Sequence, residues 1–126
     1  MPLRCLLVDD SARFLESARL LLERQGVQVD VAGTGAEAVR RFAESHPDVV
    51  LLDIDLDGES GFEVARRLQS AAPIVPSGGE GPRIILVSTH AEKDYQELIE
   101  ASPALGFLSK SSLSAGAIQE LLRGCI

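Results

Sequence analysis

Apolar residues along this chain follow two alternating patterns. Short unbroken runs recur at Leu6-Leu7-Val8, Val49-Val50-Leu51-Leu52, Ile84-Ile85-Leu86-Val87 and Phe107-Leu108. A run without polar alternation suits a strand buried on both faces, as in a parallel sheet covered by helices. Between these runs lie longer stretches with apolar residues three or four apart, the spacing of an amphipathic helix. The pattern predicts strands at Leu3–Val8, Gln28–Ala32, Asp48–Asp53, Arg83–Ser88 and Gly106–Ser109. It predicts helices from about Ser11 to Gln25, Ala36 to Ser45, Phe62 to Ala71, Glu92 to Ala101 and Leu113 to Leu122.

The first helix should bury Phe14, Ala18, Leu21 and Leu22 and stop at Gly26; the second should bury Ala38, Val39 and Phe42, with Pro47 barring its continuation. Ala65 and Leu68 should face inward from the third, and Ala117, Ile118, Leu121 and Leu122 from the fifth. The fourth should stop near Pro103, and Pro73 to Pro82, rich in proline and glycine, reads as an exposed loop. Strands alternating with helices of this length imply a doubly wound α/β domain. Right-handed crossovers then favour a five-stranded parallel sheet of order 2-1-3-4-5, with its switch point between the first and third strands. At 126 residues and 13.5 kDa, one domain over 1–126 is expected.

Composition narrows the class of function. The formal net charge of −7 disfavours non-specific nucleic-acid binding, since no basic patch stands ready to displace counterions. Arg40-Arg41 and Arg66-Arg67 read as solvated helix faces. No apolar run approaches the roughly 18 residues of a membrane span, and Met1-Pro2-Leu3-Arg4 leads straight into a strand, so neither span nor secretory signal is expected and the cytoplasm is the expected compartment. Cys5 and Cys125 fit no metal-ligand spacing; Cys5 reads as a small buried strand residue, and a disulfide is not expected.

The chemistry lies where the strands end. Asp9-Asp10, Asp53, Ser88 and Lys110 each fall at the C-terminal end of a predicted strand, the edge at which open α/β sheets bind ligands. Asp10 or Ser11 could simply cap the first helix, Ser88 could form a turn, and Lys110 could be solvated. Two consecutive carboxylates ending a buried strand are nevertheless costly without a cation. Asp53, inside an apolar run, needs a metal or an ammonium for the same reason. Mg²⁺ takes oxygen ligands and keeps waters, using one or two carboxylates with phosphate oxygens, so Asp10, Asp53 and a nearby carbonyl would suit it, with Mn²⁺ as a substitute. Carboxylates also serve as covalent nucleophiles toward phosphoryl groups.

The segments VDD (Val8–Asp10), LLDIDL (Leu51–Leu56) with the trailing Gly61, LVST (Leu86–Thr89) and GFLSK (Gly106–Lys110), in this order and spacing, resemble the receiver domain of bacterial two-component response regulators. The resemblance covers nearly the whole chain and implies a flavodoxin-like fold. It implies that Asp53 is the phosphoacceptor for a histidine kinase. Asp10 would be a direct Mg²⁺ ligand, Asp9 would act through bound water, and the main-chain carbonyl of Asp55 would complete the shell. Ser88 would be the switch hydroxyl and Lys110 the phosphate partner, with Phe107 at the aromatic switch position. Asp55 and His90 would stand at the two positions that tune phosphoryl lifetime. The implied product is a non-enzymatic signalling module that takes part in its own phosphorylation and dephosphorylation, and that changes the surface of the fourth helix, fifth strand and fifth helix.

Four features depart from that family pattern. Asp57 stands where proline is usual, Thr89 is bulkier than the residue common there, and the loop from Pro73 to Pro82 is longer. Ser111 replaces the usual proline after Lys110; a cis bond there would cost about 3 kcal/mol instead of about 1, which leaves the isomer open. Expected partners are a histidine kinase and a downstream protein or output domain, without direct nucleic-acid or membrane contact, and a homodimer is compatible. The ending at Leu122–Ile126, without linker or recognition helix, favours a stand-alone receiver only if Ile126 is the native end. The Ser112–Ser114 stretch looks closest to receivers that precede helix-turn-helix domains. A receiver fragment of a transcription factor is therefore the second reading. An aspartate-nucleophile phosphatase, echoed by Asp53 and Asp55, is the third, although the chain has no room for a substrate-covering cap.

Overall fold

A computed structural model describes residues 3–56, 58–71, 83–89, 95–102 and 104–123. Asp57, His90, Pro103, Cys125, the loop from Pro73 to Pro82 and the expected start of the fourth helix lie outside them.

Five strands form one parallel sheet: β1 (Arg4–Val8), β2 (Gln28–Ala32), β3 (Val49–Asp53), β6 (Ile84–Ser88) and β7 (Gly106–Ser109), in the order β2-β1-β3-β6-β7. Taken in chain order this is the expected 2-1-3-4-5. Two further two-residue strands, β4 (Asp55–Leu56) and β5 (Glu59–Ser60), pair antiparallel just after β3. This hairpin is absent from the sequence expectation because segments so short carry no periodicity. The helices are α1 (Ala12–Arg24), α2 (Gly35–Ser45), α3 (Gly61–Ala71), α4 (Gln96–Ala101) and α5 (Ala115–Arg123).

The central strands alternate between two cores. Leu6, Val8, Val50, Leu52, Ile84 and Leu86 pack with Ala38 and Phe42 of α2 and with Phe62, Val64, Ala65 and Leu68 of α3. Their neighbours Cys5, Leu7, Val49, Leu51, Ile85 and Val87 pack with Ala18 and Leu22 of α1 and with Ala115 and Ile118 of α5. Helices thus cover both faces, which is why the strand runs read as continuously apolar. Burial also pushes the Cys5 thiol up to about 12, with the nearby Asp30 adding a smaller push, so it is an inert packing group.

Local signals set the helix ends. Ser11 caps α1, its Oγ accepting from the Phe14 amide at 3.3 Å, and Gly26, at φ 88°, ends that helix as expected. Thr34 caps α2 through the Glu37 amide at 3.1 Å. Leu21, expected inside, is 41% exposed beside Leu20. The buried stripe of α1 runs through Ala18 and Leu22 at i, i+4, which leaves Leu21 on its rim. The fifth helix starts two residues later than expected, after Lys110–Ser112 forms one 3₁₀ turn. The Gln25 side chain accepts from the Ala115 amide at 2.6 Å, joining the end of α1 to the start of α5.

Candidate functional site

Parity along the strands builds the site. Asp9 follows Cys5 and Leu7, Asp53 follows Val49 and Leu51, and Lys110 follows Leu108, all on the face covered by α1 and α5. Since side chains alternate along a strand, the three charged groups continue one row at the strand ends, Asp53 as the last residue of β3 and Asp9 and Lys110 just past β1 and β7. The order of β1 beside β3 brings both carboxylates to the switch point.

Asp9 is fully buried. Its Oδ1 accepts from the Ser11 amide at 2.8 Å, and its Oδ2 lies 2.6 Å from Lys110 Nζ. That oxygen has no aligned hydrogen-bond donor among the described residues; it meets the ammonium as a charge. Asp53 is also buried, with Oδ1 accepting from the Asp55 amide at 3.3 Å and Oδ2 3.6 Å from Lys110 Nζ. Asp10 is exposed, and one carboxylate oxygen from each of Asp9, Asp10 and Asp53 falls within 4.8 Å of the others. Three such carboxylate oxygens fit a hard oxygen-seeking cation.

The electrostatics follow from this crowding. Burial first, then the charge of Asp9, pushes the Asp53 carboxyl from 3.8 up to about 6, against the smaller pull of the Asp55 amide and Lys110. Burial alone would lower Lys110, but contact with Asp9 and the charge of Asp53 outweigh it and raise the ammonium above its ordinary value. Lys110 is therefore a fixed cation, as phosphoryl-charge stabilisation requires.

The other expected residues stand around this core. Ser88 ends β6, buried, one residue past Val87, which is the register partner of Asp53. Thr89 is exposed beyond it. Asp55 opens the hairpin with its side chain exposed. Phe107 is half-buried and packs on the opposite face of the sheet, with the cluster that contains Tyr95 and Ile99. No peptide bond is cis among the described residues, so Lys110–Ser111 is trans. His90 lies outside them.

Three contributors were not legible as site residues. The Phe14 ring lies under Lys110, with Nζ 4.4 Å from its centroid, a cation–π contact that steadies the ammonium over the carboxylates. Helical spacing assigns Phe14 to the core, and nothing along the chain signals its second contact. Gly61 donates its amide to the Ile54 carbonyl at 2.7 Å and closes the hairpin base. Glu59 fastens the same hairpin from outside. Asp57-Gly58 was an available sign of the turn, since Asp-Gly favours two-residue hairpin loops.

A family model described as "Response regulator receiver domain" matches residues 5–123. The chain belongs to the response regulator receiver family. Among its curated relatives, the "Transcriptional activator protein ExaE" of Pseudomonas putida is 35% identical over 120 residues, which span 94% of this chain and 53% of that protein. The "Sensor histidine kinase AtsR" of Burkholderia thailandensis is 36% identical over 88 residues, 70% of this chain and 14% of that one. This receiver thus spans about half, or less, of the length of these relatives. The chemotaxis protein CheY4 of Vibrio cholerae superposes with a TM-score of 0.77 at 23% identity, covering 100% of both chains. A receiver domain from Methylobacillus flagellatus gives 0.78 at 22%, covering 96% of this chain and 99% of that one. At such identities the likeness is one of fold. Receivers are signalling modules of two-component systems, some with DNA-binding output, and Mg²⁺ binding at an acidic pocket is standard among them. No described helix is long and apolar enough to cross a membrane.

Proposed function

We propose that this chain acts over 1–126 as a receiver whose Asp53 accepts a phosphoryl group from a histidine kinase. The observation that carries the reading is the meeting of Asp9, Asp10 and Asp53 within 4.8 Å, with Lys110 Nζ 2.6 Å from Asp9 and 3.6 Å from Asp53. An Asp53 oxygen attacks phosphorus in line; the new P–O bond forms as the P–N bond of the donor phosphohistidine breaks, and the electron pair returns to the imidazole. Asp10, Asp53 and the Asp55 carbonyl would hold Mg²⁺, with Asp9 acting through water; when bound, the ion supplies charge neutralisation for the phosphoryl oxygens. Lys110 shifts from Asp9 toward the new phosphate. The Ser88 hydroxyl donates to a phosphoryl oxygen and draws its loop inward. Phe107 then repacks and the surface of α4, β7 and α5 changes for a downstream partner, a local electrostatic event with a wider readout. Asp55 and His90 set how long the acyl phosphate survives.

The test is intact mass after incubation with acetyl phosphate, with and without Mg²⁺, on parent and Asp53→Ala protein. A Mg²⁺-dependent gain of one phosphoryl group, absent from the variant, is expected. Absence of the gain together with no beryllofluoride binding would overturn the assignment.

A second reading concerns context. The relative ExaE is a transcriptional activator by name, and the matched segment is only 53% of it. The same receiver could control a DNA-binding output joined to it, the length of the open reading frame being the direct check. In either context the receiver works in the cytoplasm without touching nucleic acid itself, and any homodimer forms through its own switch surface.

A further inference from the structure

Glu59 makes a connection that the phosphoryl chemistry above does not use. It sits in β5, paired with Leu56 across the hairpin, and its neighbour Ser60 pairs with Asp55. Its Oε1 accepts from the Gly35 amide at 2.9 Å, 24 residues away at the first turn of α2. Its Oε2 lies 3.3 Å from Arg67 Nη1 on α3. The other capping bonds of α2 are local: Thr34 accepts from the Glu37 amide, and Glu37 accepts from Gly33 at 2.7 Å. Among the described residues, Glu59 alone reaches in from the loop after Asp53.

The seat is tight. A Cβ on Gly35 would stand 2.6 Å from Glu59 Oε2, 2.8 Å from Val64 Cγ2 and 3.2 Å from Arg67 Nη1. Position 35 must lack a side chain for the carboxylate to lie against the helix start. A carboxylate at a helix N-terminus also meets a favourable field, and its bonds are charge-assisted. The hairpin is thereby held at both ends: Gly61 ties its base to Ile54 at 2.7 Å, and Glu59 ties its far strand to α2 and α3. Between these anchors runs Asp55, whose amide already bonds Asp53.

We infer that Glu59 is a positioning residue, a strap that fixes the Asp55 main chain relative to Asp53 and so sets the divalent-ion affinity of the site. The inference rests on the proposed metal role of Asp9, Asp10, Asp53 and the Asp55 carbonyl. Removing a group bonded directly to a metal ligand costs about tenfold or more in affinity. Glu59 acts through the hairpin backbone, so about tenfold is the upper end for it, and coupling between sites is reciprocal. Metal binding should therefore slow hydrogen exchange at the Gly35 amide.

The experiment is Mn²⁺ titration followed by electron paramagnetic resonance, with Gly35 amide exchange measured with and without Mg²⁺. It compares parent, Asp53→Asn, Glu59→Ala, Glu59→Gln and Arg67→Met. Glu59→Ala should bind Mn²⁺ several-fold more weakly, up to about tenfold, and lose the metal-dependent protection of Gly35. Glu59→Gln, which keeps an acceptor for Gly35, should recover most of both. Arg67→Met, a change at a half-exposed side chain, should weaken binding less than Glu59→Ala and serves as the test should that variant not fold. Parent-like affinity in Glu59→Ala or, failing that, in Arg67→Met overturns the strap while leaving the metal site standing, provided Asp53→Asn has lost affinity. Failure of the parent to bind Mn²⁺ overturns both.

Discussion

Asp53 is held in a position that folding disfavours and that the proposed phosphoryl transfer uses. Its carboxyl, raised to about 6 by burial and by Asp9, binds a proton more tightly in the folded chain than in the unfolded one. The sign follows from linkage: this contribution to stability is present below the ordinary value near 3.8 and is lost as pH rises toward 6. Metal-free Asp53→Asn should match the parent near pH 4 and exceed it by about 1–3 kcal/mol above pH 7, on the scale of 1.36 kcal/mol per unit. Urea unfolding of both proteins across this range, in the presence of a chelator, measures the difference. A parent as stable as the variant at pH 7.5 would mean that the carboxylate is not strained. Cys5 gives a contrasting case. Its thiol, pushed up to about 12, should resist alkylation in the folded chain and react fully in urea, as peptide mapping would show.

At the scale of elements, the hairpin β4–β5 decides how the loop after Asp53 is held. A Cβ on Gly61 would stand 2.7 Å from the Ile54 Cα and closer still to the Asp53 carbonyl oxygen, both main-chain atoms that cannot swing aside. Gly61→Ala should therefore destabilise the fold by about 1–3 kcal/mol, the cost of forced overpacking, and should weaken Mg²⁺ binding by moving the backbone of Asp53 itself. Thermal unfolding with and without Mg²⁺ separates the two effects. These elements also mark the limit of what the sequence could show. Asp9, Asp53 and Lys110 were legible because each ends an apolar strand and strand parity sends them to one face. Gly61 stands in a motif, but its role is not legible there, since its close approach exists only once the chain has turned. Glu59 and Phe14 act between segments 24 and 96 positions apart, a distance that helical or strand period cannot encode. Leu21 was misplaced for the opposite reason: period gives the direction of a helix face, but packing sets its width.

Across the whole molecule, the sheet separates the acidic site from the aromatic residues beside α4. Asp9, Asp53 and Lys110 belong to the row facing α1 and α5, with Phe14 beneath the ammonium, whereas Phe107 packs on the other face with Tyr95 and Ile99. Both faces meet at β7, a half-buried edge strand carrying Phe107 and running into Lys110. That strand thus offers one route from the site at Asp53 to the α4 side, beside the one through Ser88 at the end of β6. The acidic cluster supplies a global test of the same design. An ion that binds the folded chain alone stabilises it by about 1.4 kcal/mol for each tenfold excess over its Kd. Protonation of Asp53, with its carboxyl at about 6, competes with that ion. Between pH 7.5 and pH 5 the apparent affinity should fall by about tenfold, and the stabilisation by a fixed Mg²⁺ concentration by about 1.4 kcal/mol. Asp53→Asn should show a small Mg²⁺ effect that barely changes over this range, since its amide does not titrate. Melting curves at 0 and 10 mM Mg²⁺, roughly the span over which such mass action is easily read, provide the comparison at both pH values. An equal Mg²⁺ effect in parent and variant would place the ion away from Asp53; an effect confined to the parent and fading toward pH 5 would tie the stability of the entire sheet to the carboxylate at its switch point.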